Sequence, residues 1–216
     1  EMLQENEPTL ILLGGSALME TPLETAARIK AKTGADVMAE GMNTRIQRGV
    51  GRLPVIRIPY PVPQALDILK DYRQILLVGA ADPVGFFAYP GKPSRLAPDG
   101  CRVETLALPE QDCAGALIAL SNAVGADSAT PELQQPDRPE RPTGAITLDS
   151  IACAIGALLP ENAIVVDESV TTGRGFLPFT AGAGPHDWLQ NRGGAIGLGL
   201  PMATGAAIAC PDRKVI

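Results

Sequence analysis

Gln74-Ile75-Leu76-Leu77-Val78-Gly79 is the stretch that decides the fold class. Its apolar run has no alternating polar positions, so a strand built from it must be covered on both faces, as in a parallel sheet under helices. Thr9-Leu10-Ile11-Leu12-Leu13, ended by Gly14-Gly15, repeats the pattern. Between the two runs lie helix signals. Thr21 as N-cap, Pro22 at the first helical position and Glu24 completing a capping box predict a helix with Leu23, Ala26 and Ala27 on its apolar face and Gly34 at its end. Asp36 to Glu40 supplies a second strand. Val62, Ala65, Leu66 and Leu69 recur at helical spacing, with Pro61 and Pro63 tolerated in the first turn. Cys101 to Leu108 reads as a further strand, leading into a helix that carries Cys113, Ala116, Leu117, Leu120, Ala123 and Val124. Alternation of this kind predicts a doubly wound α/β domain over residues 1–127, a Rossmann-like parallel sheet of the six-stranded type with right-handed crossovers.

From 128 to 146 the composition changes. Pro131, Pro136, Pro139 and Pro142 alternate with polar residues, which is linker composition. A second α/β unit over 147–216 opens at Thr147, a plausible N-cap. Leu148, Ile151, Ala152, Ile155, Leu158 and Leu159 form a helical face that Pro160 closes, and Ala163-Ile164-Val165-Val166 is a strand. A glycine-rich stretch from Gly193 and a small-residue helix around Ala203 to Ala209 follow, and Lys214-Val215-Ile216 begins another strand. This second unit reads as incomplete, and both ends of the chain read as cuts.

Composition excludes several classes. A formal charge of -6 argues against a nucleic-acid surface, which requires a basic patch. Arg45, Arg48 and Arg52 lie close together but read as a solvated face. Cys101, Cys113, Cys153 and Cys210 form no C-x-x-C pair, so neither a zinc site nor a disulfide framework is indicated, and a reducing cytoplasm is the simplest setting. No apolar run reaches the ~18 residues of a membrane span.

Ligands of open parallel sheets bind at the carboxyl ends of strands. Gly14-Gly15-Ser16-Ala17 is a small-residue turn without the G-x-G-x-x-G spacing, so either a ligand approach or a plain tight turn fits it. Glu40 could take a ribose hydroxyl. The loop Phe86-Phe87-Ala88-Tyr89-Pro90-Gly91-Lys92-Pro93 is either an exposed aromatic surface or a loop packed over its own rings. Asp167-Glu168-Ser169-Val170-Thr171-Thr172-Gly173 offers backbone donors and hydroxyls at a strand-to-helix turn, which suits a phosphate or diphosphate, or is simply a helix cap. The run from Asn191 to Ala207 is dense in glycine, which is destabilising unless backbone must approach something closely. His186, the only histidine, sits beside Trp188 in a Gly/Pro loop and has no nucleophile to pair with.

The order of these pieces carries a resemblance. Val165-Val166-Asp167-Glu168-Ser169, then Gly193-Gly194-Ala195-Ile196-Gly197-Leu198-Gly199-Leu200-Pro201, then Pro211-Asp212-Arg213-Lys214-Val215-Ile216, resembles the cofactor-binding domain of thiamine-diphosphate-dependent enzymes of the acetolactate synthase and benzoylformate decarboxylase type. The preceding unit, with Leu77-Val78-Gly79-Ala80 and the proline-rich exit, looks like their central domain. In such enzymes the cofactor lies in a V shape between two subunits, and its activated thiazolium carbon attacks a 2-keto acid, which loses carbon dioxide.

The resemblance implies a lyase or transferase in the full-length protein, with magnesium, a 2-keto acid substrate and a homodimer or homotetramer. It puts Glu168, Ser169, Val170 and Thr171 beside the diphosphate. A carboxylate at Glu168 would repel that group, so it is expected to face away or act through structure. Gly194 matches the residue whose carbonyl receives the cofactor's amino group, and Ile196 matches the apolar residue beneath the V. The Gly-Asp-Gly and Asn that hold magnesium, and the glutamate that polarises the pyrimidine, have no match in these residues. No catalytic residue and no metal ligand is therefore expected within the chain, and the chain alone is expected to be inactive. Some relatives hold FAD in the central domain. Gly14-Gly15-Ser16 makes a thin phosphate loop, so flavin is not favoured, and a non-catalytic nucleotide-binding or subunit-bridging unit is the alternative.

Overall fold

A computed structural model describes residues 1–216, the side chain of Arg174 excepted. In chain order the elements are β1 (Thr9–Leu13), α1 (Glu20–Thr33), β2 (Asp36–Ala39), β3 (Arg45–Arg48), β4 (Ile56–Arg57), α2 (Val62–Leu69), β5 (Gln74–Val78), β6 (Arg102–Ala107), α3 (Cys113–Val124), α4 (Leu148–Leu158), β7 (Ile164–Asp167), α5 (Phe176–Thr180), β8 (His186–Gln190) and α6 (Gly199–Ala209). They form two compact units, one of Glu1–Asn43 with Val55–Glu132, the other of Thr44–Pro54 with Leu133–Ile216.

The first unit is a parallel sheet in the order β4-β2-β1-β5-β6. Its class is the α/β class expected, but the described sheet has five strands rather than six. Every residue of β1 and β5 is buried, which is why these two strands read as unbroken apolar runs. Leu10, Leu12, Ile75 and Leu77 pack on Val62, Ala65 and Leu69 of α2. The alternate positions Ile11 and Leu13 face the other side of the sheet, and α1 and α3 pack together. Burial of each such side chain stabilises the fold by roughly 1.5–3 kcal/mol.

The start of α1 differs from expectation. A turn of 3-10 helix over Gly15–Leu18 runs straight into it, so the helix begins at Glu20 and the Leu23 amide already donates to the Met19 carbonyl at 3.0 Å. Thr21 is thus inside the helix rather than its cap, and Glu24 pairs with Arg28 at 2.6 Å. Gly34 ends the helix in the left-handed conformation, with φ 76°.

Gly14 and Gly79 end the two central strands, where strand order reverses. A Cβ on Gly14 would lie 2.4 Å from the Gly79 carbonyl oxygen, and one on Gly79 would lie 2.5 Å from that of Gly14. The small residues here serve backbone against backbone. The Glu40 carboxyl carbon also lies 2.9 Å from the Gly14 Cβ position.

The second unit is a mixed sheet in the order β3-β8-β7, with β8 parallel to β7 and antiparallel to β3. Lys214 and Ile216 add to the other edge of β7: the Ile164 amide donates to the Lys214 carbonyl and the Val166 amide to that of Ile216, both at 2.8 Å. Two readings are corrected here. The arginine cluster is only in part a solvated face: Arg45 is exposed, but Arg48, at the other end of β3, is partly buried with its guanidinium over the Trp188 ring. His186 does not sit in a loop, because it opens β8. The proline-rich stretch is tied down by Gly51 N donating to Gln134 O at 2.9 Å and Gln134 N to Arg52 O at 2.8 Å. Thr147 caps α4 as expected, in a reciprocal pair with Ser150.

Candidate functional site at the carboxyl end of the β7 strand

β7 ends at Asp167, whose side chain folds back to make the next turn. Its Oδ1 accepts the Ser169 amide at 2.8 Å and also the Ser169 hydroxyl. That hydroxyl lies directly against Gly173, where a Cβ would come within 1.5 Å of Ser169 Oγ. Glycine at 173 is therefore a requirement of close packing. The Ser169 proton is committed to Asp167, so this side chain offers a ligand lone pairs and no donor. Thr171 and Thr172, the hydroxyl residues that follow, are exposed.

Glu168 points elsewhere. One carboxylate oxygen accepts the Gly197 amide and the other accepts the Gly199 amide at 2.6 Å. The Gly199 amide is the first of α6, where N–H groups lack partners within the helix, and the Gly197 amide lies just before the N-cap Leu198. The Gly197 amide, then that of Gly199, holds the Glu168 carboxyl below the usual carboxylate range. Neither acid of the turn is therefore directed at an incoming anion.

The glycine-rich loop is shaped by local bonds. Asn191 Nδ2 donates to the Ala195 carbonyl at 2.8 Å, and Asn191 Oδ1 accepts the Ala195 amide at 3.0 Å. Gly193, Gly194 and Gly197 have φ of 83°, 72° and 92°, a region that side chains disfavour. Ile196 is 95% exposed and Val170 73% exposed. Leu200 and Ile208 of α6 are uncovered as well, and no residue of that helix is buried. Of the residues expected at the site, the fold thus joins Glu168 to the glycine loop and Ser169 to Gly173, with Gly194 and Ile196 on the loop itself.

Sequence reasoning missed the support beneath this site. Trp188 is fully buried, and the Arg48 guanidinium lies over its ring at 5.5 Å while donating to Thr180 Oγ1 at 2.8 Å and Leu177 O at 2.6 Å. Burial pushes the Arg48 pKa down to about 10. Asp187, also buried, accepts from Arg45 Nε at 2.7 Å and Arg213 Nη2 at 2.6 Å. Arg213 further donates to the carbonyls of Asn162 and Ala163, before β7. The only hint was that Arg213 belongs to the Pro211-Asp212-Arg213 motif.

His186 Nδ1 lies 2.8 Å from the Gly184 carbonyl, so that nitrogen carries the proton, and burial pushes the ring's pKa down to about 4. In the first unit, the Phe86 loop is the exposed alternative: Phe86, Phe87 and Tyr89 are all exposed, and the Tyr60 ring lies 5.8 Å from that of Phe86, tilted at 41°. Among the described residues no three His, Cys, Asp or Glu side chains are grouped to hold a metal, and no helix is long and apolar enough to cross a membrane.

No family model matches the chain. IlvX of Mycobacterium tuberculosis H37Rv, named as an acetolactate synthase large subunit, is 46% identical over 215 residues, which are all of this chain and 41% of that protein. Benzoylformate decarboxylase of Pseudomonas aeruginosa PAO1 is 36% identical over 73 residues, covering 34% of this chain and 14% of that protein. Among solved structures, the thiamine-diphosphate-dependent 4-hydroxybenzoylformate decarboxylase of Rhodococcus jostii RHA1 superposes with a TM-score of 0.73 at 23% identity, covering 99% of this chain and 43% of its own. A Mycobacterium smegmatis protein described as a thiamin diphosphate-dependent enzyme gives a TM-score of 0.67 at 19% identity, covering 99% and 45%. The chain spans about two fifths of the length of the relative it matches from end to end. Along its whole length the chain is similar in sequence to a protein named as an acetolactate synthase large subunit, over 73 residues to a benzoylformate decarboxylase, and in fold to thiamine-diphosphate-dependent enzymes.

Proposed function

We propose that this chain is the part of a thiamine-diphosphate- and magnesium-dependent 2-keto-acid decarboxylase or carboligase, acetolactate synthase-like, that receives the diphosphate and supports the bend of the cofactor. The observation that carries this reading is the division of labour around β7. Both acids of the turn, Asp167 and Glu168, are spent on the chain's own N–H and O–H groups, while Thr171 and Thr172 are exposed. Such a turn accepts a polyanion without direct repulsion.

The residues fit the group. Thr171 and the 169–173 turn would hold the diphosphate, with Ser169, whose amide and hydroxyl are both on Asp167, contributing shape rather than a donor. The Gly194 carbonyl would accept the cofactor's amino group, and Ile196 would sit beneath the bend. Ile is stiff because branching at Cβ leaves it few rotamers. When bound, thiamine diphosphate supplies the nucleophilic carbon and the electron sink that decarboxylation of a 2-keto acid requires. This chain's task is to orient and to exclude water.

The active protein is a cytoplasmic homodimer or homotetramer in this reading, and the chain by itself does not turn over. The close approach of the Gly14 and Gly79 backbones supports the view that the small residues of the first unit serve packing rather than a flavin or nucleotide. The test is calorimetric titration of the whole protein with thiamine diphosphate and magnesium, alongside carbon dioxide release from a panel of 2-keto acids. Saturable binding weakened at least about tenfold by Thr171→Val, about 1.4 kcal/mol, is expected. A whole protein that binds no thiamine diphosphate overturns the reading.

A further inference from the structure

We propose that Glu168 is a positioning residue: its carboxylate clips the glycine-rich loop to the end of β7, sets where Ile196 stands, and leaves the start of α6 with no vacancy for the diphosphate. The proposal rests on the functional reading above for its consequence, but the clip itself rests on geometry.

Two observations converge. The carboxylate is bidentate on the chain, with one oxygen on the Gly197 amide and the other on the Gly199 amide at 2.6 Å, across 29 and 31 residues of sequence. Independently, a Cβ on Gly199 would lie 2.7 Å from Glu168 Oε2 and 3.2 Å from Glu168 Cβ. Gly199 lies outside the left-handed region, so what requires glycine there is the space that the carboxylate occupies. The two clipped amides flank Leu198, and the first of them follows Ile196 directly. A loop otherwise free to swing on the left-handed Gly193, Gly194 and Gly197 is thus held at its far end, while Asn191 braces its near end through Ala195.

An anion at the first turn of a helix is also favoured by the helix dipole. Because Glu168 already takes that place, the diphosphate is left to the 169–173 turn. The chemistry predicts what substitution does. Gln keeps the length but presents one oxygen acceptor and one NH2 donor, so it satisfies one amide and confronts the other with a second donor.

The test has two arms. In the first, hydrogen exchange of the 216-residue chain is followed by mass spectrometry without any cofactor. The peptide spanning residues 191–200 is expected to exchange at least tenfold faster in Glu168→Gln, and equally in Gly199→Ala, with no further loss in the double variant. Peptides of β7 and β8 are expected to be unchanged. Equal exchange of the 191–200 peptide in wild type and Glu168→Gln overturns the clip.

In the second arm, the whole protein is titrated with thiamine diphosphate and assayed at saturating cofactor. The expected result for Glu168→Gln is a dissociation constant raised at least tenfold, a lower kcat even when saturated, and an unchanged KM for the keto acid. A merely structural role would instead lower the folded fraction and leave these constants alone. Faster loop exchange with wild-type affinity and kcat overturns the positioning role. A wild-type protein that binds no thiamine diphosphate overturns the functional reading, and the exchange arm then judges the clip by itself.

Discussion

His186 should make the second unit acid-labile well above the pH at which its carboxylates titrate. The ring is 3% exposed in the first position of β8, and burial pushes its pKa down to about 4 from an ordinary 6.5. Nδ1–H donates to the Gly184 carbonyl at 2.8 Å, which leaves Nε2 as the unprotonated atom, buried and without a hydrogen-bond partner. Charging it would place a proton next to the Arg48 guanidinium, which opposes it, while Asp187 offsets only part of the cost. The sign follows from linkage. Between pH 4 and 6.5 the unfolded chain binds a proton that the folded chain refuses, so stability rises with pH across that window and is fully present above 6.5.

Taking the two pKa values as about 4 and 6.5, the loss on going from pH 7.5 to 4.5 is about 2.5 kcal/mol. Trp188 is the chain's only tryptophan, fully buried with its ring centroid 6.2 Å from that of His186, so fluorescence reports this unit alone. Urea unfolding followed by tryptophan emission at the two pH values measures the difference. His186→Phe should cost about 1 kcal/mol at pH 7.5, for the lost bond to Gly184, and should remove most of the decline toward pH 4.5. A variant whose stability falls with pH as steeply as wild type would refute the reasoning.

Asp187→Ala should destabilise the same unit by about 2–3 kcal/mol, at the lower edge of the cost of breaking a buried pair because Arg45 and Arg213 are partly exposed; a fluorescence midpoint in urea within error of wild type would remove the two-arginine bridge as a support of β7 and β8. Ile196→Ala should leave the melting temperature of the chain unchanged, since the side chain is 95% exposed, yet lower turnover per cofactor-saturated site of the whole protein at least about tenfold, or 1.4 kcal/mol of barrier. Wild-type turnover in that variant would end the assignment of Ile196 to the bend.

Much of the architecture was legible in the residues because it depends on neighbours. The runs of β1 and β5, the helical spacing in α2 and α3, the Thr147 cap and the Gly34 stop are set by contacts within a few residues, or by burial on both faces, and each has a local signature. So do the turn after Asp167 and the glycine loop, whose composition announces unusual backbone. What tertiary structure decided lies at long separation. β3 is a strand only because Arg45 to Arg48 pair with β8 about 140 residues later, and its arginines, polar by composition, become the lid on Trp188 and the partner of Asp187. The same holds for His186 and for Glu168. An acid beside a diphosphate turn gives no sign of its direction, which was set when the glycine loop and the start of α6 brought one amide each within its reach. A charged side chain goes where its burial and bonding cost least, and that place exists only once the distant segment has arrived.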